Sequence, residues 1–176
     1  MTRTDRFKEL AFILLEETFE SRDKGGNYYL DKRTGWFPTL DALSAEEASF
    51  ALVPGGSTIV AHTFHTDFYI RANLRELKGE PQTRIDWDAS WRLKVVDDAG
   101  WEDLRGRLRN AYEETVRLLE GAEEWGESQV DVAMATITHS AYHLGAVRQF
   151  LTALRARAAT RDWPARRSTT GGGAGS

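Results

Sequence analysis

Four long stretches of helical periodicity, two long connections between them and too little left over for a sheet predict an all-α chain folded as a four-helix bundle. At 176 residues the chain is one domain's worth, enough to bury a core without staples. The domain is expected over residues 1–164. Residues 165–176, rich in Ser, Thr and Gly, have nothing to pack and read as a flexible tail.

The first helix is expected from about Asp5 to Ser21, with Phe7, Ala11, Leu14 and Thr18 on one stripe. A long connection follows, carrying a short helix announced by Ser44-Ala45-Glu46-Glu47, a capping box. The second long helix begins after the breaker run Pro54-Gly55-Gly56, with Ser57 as its expected cap. It ends near Leu77, before Gly79 and Pro81. Its inward stripe reads Ile59, His62, Thr66, Tyr69, Asn73 and Leu77. The connection from about Gln82 to Val96 carries Trp87 and Trp91, which suggests packing over one end of the bundle. Asp97 or Asp98 caps a third helix over about Ala99 to Glu120, with Trp101, Leu104, Leu108, Ala111, Thr115 and Leu118 facing inward. The fourth starts near Ser128, with Asp131 in the capping-box position, and runs to about Ala159. Its inward residues are Val132, Thr136, His143, Val147, Phe150 and Leu154.

Composition excludes several chemistries. There is no cysteine, so disulfides, thiolate metal ligands and a sulfur nucleophile are all ruled out. That fits a cytoplasmic location. The longest apolar run near the start, Leu10 to Leu15, is too short for a signal-peptide core or a bilayer span. A net charge of -4 argues against a nucleic-acid binder. Arg155, Arg157, Arg161, Arg166 and Arg167 gather near the end, either as a solvated helix face and tail or as a phosphate or partner contact.

The four histidines are grouped as His62 with His65 and His139 with His143. On the fourth helix, His139 and His143 are spaced i, i+4, which puts both imidazoles on one face about a turn apart. That face is the inward one. His62 faces inward from the second helix and is positioned to give a third ligand to one divalent transition metal. Three neutral imidazoles with an open position suit zinc, nickel or iron. His65 lies roughly 60° around the helix from His62 and is the second choice, otherwise a rim residue. Tyr142 and Tyr69 are candidates for orienting a bound ligand, and Arg148 for gripping an anionic substrate. Asp67 is either a carboxylate partner of a histidine or a solvated residue on the outer face.

The segment TITHSAYHLGAVRQ, with its His-x-x-x-His-Leu-Gly run, resembles the fourth helix of the DinB-like superfamily of four-helix-bundle metalloproteins. STIVAHTFHTDFYIRANLRELKGE resembles that family's second helix, where a histidine after an apolar pair gives the first ligand. The resemblance extends over about residues 5–158, Trp91 and Trp101 included. It implies metal ligands at His62, His139 and His143. One departure is Ala146, where many members carry glutamine. The resemblance also implies a homodimer and thiol-dependent transferase or isomerase chemistry with a low-molecular-weight thiol. The expected function is a metal-dependent enzyme, of transferase or hydrolase type, acting on a small molecule. The alternative is a non-catalytic metal or small-ligand binding protein in a stress response.

Overall fold

The computed structural model describes residues 3–22, 27–81 and 84–159. The 165–176 tail lies outside them. Among the described residues the regular structure is all helical, with no strand: α1 (Arg3–Phe19), α2 (Trp36–Asp41), α3 (Ala45–Ala48), α4 (Ile59–Leu77), a 3-10 turn (Trp87–Trp91), α5 (Asp98–Gly121) and α6 (Glu127–Ala159). None of these helices is long and apolar enough to cross a membrane.

α4 is the central element. It packs on α5 along one side, on α6 along another, and on the 3-10 turn along a third, while α1 lies mainly on α6. The environments differ accordingly. α5 buries a single stripe, Trp101, Leu104, Leu108, Ala111, Thr115 and Leu119, with charged residues opposite. α4 buries almost every residue from Ile59 to Asp67, then Ile70 and Leu74. A helix enclosed on three sides has no polar face to spare, so its polar residues have to be paired or used.

Two of the expected helix starts are shifted. α4 is capped by Thr58, not Ser57: the Thr58 hydroxyl accepts from the Ala61 N–H at 3.1 Å. The same hydroxyl donates to the Lys94 carbonyl at 2.8 Å, tying the helix start to the connection that covers it. At α6 half of such a box is made by Gln129, whose side chain accepts from the Gly126 N–H at 2.9 Å, in place of Asp131. The other expected caps form as read. Ser44 and Glu47 bond reciprocally, and Asp97 accepts from the Gly100 N–H. Gly79, at φ 67°, takes the left-handed conformation just beyond the end of α4.

The first connection is held by three buried anchors. The Glu17 carboxylate, fully buried, accepts the backbone N–H groups of Tyr28, Tyr29 and Leu30 at 2.7–2.8 Å. The Trp36 indole donates to the Ser140 carbonyl, and the Trp101 indole to the Leu43 carbonyl. These bonds tie α2 to the middle of α6, one residue beyond His139, and the chain before α3 to the start of α5.

Candidate metal centre

The packing of α4 against α6 brings all four histidines together. His65, His139 and His143 each offer a ring nitrogen, and these three nitrogens lie within 4.8 Å of one another. His65 Nε2 is 3.1 Å from His139 Nε2. His62 Nδ1 is 3.0 Å from His143 Nδ1. Nitrogens bound to one tetrahedral zinc at 2.0–2.1 Å stand about 3.3 Å apart, so these separations fit a shared ion.

Aromatic rings wall the cluster. Trp91 stacks on His65 at 4.1 Å and meets the edges of His62 and His143. Tyr69 lies flat on His139 at 3.6 Å, and Phe150 closes against His62. His62, His65 and His143 are buried, while His139 is half-buried. Tyr142, whose ring stands edge-on to His143 at 5.0 Å, is 74% exposed and marks the solvent side.

Burial keeps these imidazoles neutral. Withdrawal from water first, and neighbouring imidazoles second, lower His143 to about 3 and His139 to about 4. Burial lowers His62 and His65 as well. Neutral imidazole is the ligating form, so at neutral pH each ring has a lone pair available. The donor set is nitrogen alone, which suits zinc, nickel or iron over calcium or magnesium.

The expected site residues are distributed unevenly. His62, His139 and His143 are in the cluster, and Tyr142 borders it. Arg148 is elsewhere: nine residues after His139, it points about 180° away around the helix, and its guanidinium lies 3.8 Å from Asp31 in the first connection. Asp67 is not on an outer face. It is fully buried and bonded to Arg71 and Arg107, with no histidine among its partners.

Helical spacing underrated His65 and missed Ser90. The His65 ring is only 8% exposed because the 3-10 turn covers it, and its Nδ1 is 2.7 Å from the Ser90 hydroxyl. A signal was present in the His62–His65 spacing and in the tryptophans of the connection. What the sequence withheld was that this connection packs along the flank of α4.

No family model, curated protein or solved structure matches the chain.

Proposed function

We propose that this chain is a DinB-like metalloprotein, a four-helix bundle of α1, α4, α5 and α6 that holds one divalent transition metal between α4 and α6. The observation that carries the reading is the convergence of three ring nitrogens within 4.8 Å in a buried, uncharged setting. His139 and His143 supply two ligands from α6, and α4 supplies a third; the resemblance gives that place to His62.

Three protein ligands leave a position for an outside molecule. A bound ion there acts as a Lewis acid and lowers the pKa of a thiol or water. The chain's own residues do the rest. Trp91, Tyr69 and Phe150 exclude water and hold the rings in place. Tyr142, exposed at the solvent side, meets what enters. With no cysteine in the chain, any thiol comes from outside, as a small-molecule cofactor or substrate.

The test is elemental mass spectrometry on the purified, tag-free protein beside a His143→Ala variant. About one equivalent of zinc, nickel or iron in the parent, lost in the variant, is expected. No metal in the parent, and none taken up on titration, overturns the reading.

A further inference from the structure

We propose that His65, not His62, is the α4 ligand of this centre, with His62 and Ser90 as positioning residues for His143 and His65. The assignment rests on the metal reading above and concerns which nitrogens face the ion.

Hydrogen bonding at Ser90 settles the state of His65. The Ser90 hydroxyl has one proton, and it goes to the Trp87 carbonyl at 2.6 Å. Toward His65 Nδ1, 2.7 Å away, the same oxygen therefore only accepts. His65 must carry its proton on Nδ1, which leaves the Nε2 lone pair unprotonated. That lone pair faces His139 Nε2 at 3.1 Å. Stacking on Trp91 fixes the plane of the ring. A histidine whose outer nitrogen donates to a fixed acceptor while the inner one faces its neighbours is arranged as metal ligands are.

His62 is arranged differently. It does not belong to the set of mutually close nitrogens; the hydrogen-bond contact of its ring is with His143, Nδ1 to Nδ1 at 3.0 Å. If His143 ligates through Nε2, its Nδ1 carries the proton and donates to His62 Nδ1. His62 then does for His143 what Ser90 does for His65. The edges of Trp91 and Phe150 hold His62 in that place. His139 Nδ1 is buried without a hydrogen-bond partner, so this ring is positioned by its stack on Tyr69 instead.

The experiment uses the full chain and zinc as the probe, titrated in competition with a chromophoric chelator. Cobalt substitution reads the coordination number through visible absorption, and circular dichroism checks helicity. His65→Ala is expected to lose at least 100-fold in zinc affinity. His65→Gln, which keeps a polar side chain beside Ser90, is expected to lose as much. His62→Ala and Ser90→Ala are expected to keep one equivalent at roughly 10- to 100-fold weaker affinity, with the cobalt spectrum of the parent. His62→Gln, which restores an acceptor for His143, is expected to recover most of that loss. Full zinc affinity in both folded His65 variants, or loss of the ion in His62→Ala, overturns the assignment while leaving the metal reading intact. A parent chain that binds neither zinc nor cobalt overturns the metal reading itself.

Discussion

α4 carries two buried polar clusters that are balanced in opposite ways. On one face, the fully buried Asp67 carboxylate meets two guanidinium groups, Arg71 Nε on one oxygen and Arg107 Nη2 on the other, each at 2.8 Å. Arg71 also donates to the Arg107 carbonyl, and both oxygens of the buried carboxylate are paired. On the other face, four imidazoles converge with no carboxylate paired to any of them among the described residues. One ring nitrogen, His139 Nδ1, has no partner. The first cluster is complete as it stands and ties α4 to α5. The second gathers uncharged ring nitrogens that pair mainly with one another and leaves one of them unpaired, a set of donors that a cation can use.

The largest expected effect comes from opening the closed cluster. Arg71 and Arg107 each have side chains 41% exposed, whereas Asp67 is not exposed at all. The double substitution Arg71→Ala with Arg107→Ala strands the carboxylate in the interior. It is expected to cost about 3–5 kcal/mol in a urea titration. In metal-free protein, by contrast, His139→Leu is expected to cost only about 1–2 kcal/mol, because it removes an orphaned ring nitrogen but leaves the His65 Nε2 without its partner. Equal losses in the two variants would erase the distinction between the clusters.

Acid sharpens the comparison, because only the histidine cluster is expected to respond to mild acid. The folded-state values of His139 and His143, about 4 and about 3, lie below the ordinary histidine value of 6.5. Between those limits the unfolded chain binds more protons than the folded one. The stability contributed by the neutral rings is therefore complete above about pH 6.5 and is lost as pH falls toward 4 and 3. With metal removed by a chelator, the unfolding free energy from urea titration is expected to drop between pH 7.5 and pH 4.5, by about 2 kcal/mol for each of these two imidazoles after allowing for their partial exposure. A His139→Leu, His143→Leu double variant is expected to lose most of this slope. An unchanged slope would mean that the buried rings are not its source.

How far the sequence exposed these two clusters follows from how each helix is enclosed. α5 faces solvent along one side, and its stripe from Trp101 to Thr115 falls where periodicity puts it; only the last member moves, from Leu118 to Leu119. The i, i+4 spacing of His139 and His143 likewise puts both rings on the face of α6 that carries the histidine cluster. On α4 periodicity misleads at two positions for one cause. A helical wheel presumes an outer face, so it ranks His65 second as a ligand, otherwise at the rim, and offers Asp67 a histidine or solvent where the fold gives it two arginines. Both are buried because α5, α6 and the connection carrying Trp87 and Trp91 enclose the helix. Asp67 finds its second arginine 40 residues away, on α5. Arg148 shows the converse: proximity in sequence to His143 brought it no closer, because the helix turns it toward Asp31.

The smallest expected effect lies at the start of α4, where the histidine end of the helix can be loosened without touching the Asp67 end. Thr58 accepts from the Ala61 N–H and donates to the Lys94 carbonyl, and so holds both the first turn and the segment over it. Thr58→Ala is expected to cost about 1 kcal/mol. Ser57, whose buried hydroxyl has no hydrogen-bond partner, is expected to be replaceable by alanine at no cost. His62 lies one turn into the helix, and its N–H bonds to the Thr58 carbonyl at 3.1 Å. Fraying from this end therefore reaches the histidines before it reaches Asp67. Thr58→Ala should weaken zinc binding several-fold while leaving an Arg107→Ala substitution as costly as in the parent, measured by a double-mutant cycle. Coupling between Thr58 and Arg107 would show instead that the two clusters share one cooperative unit along α4.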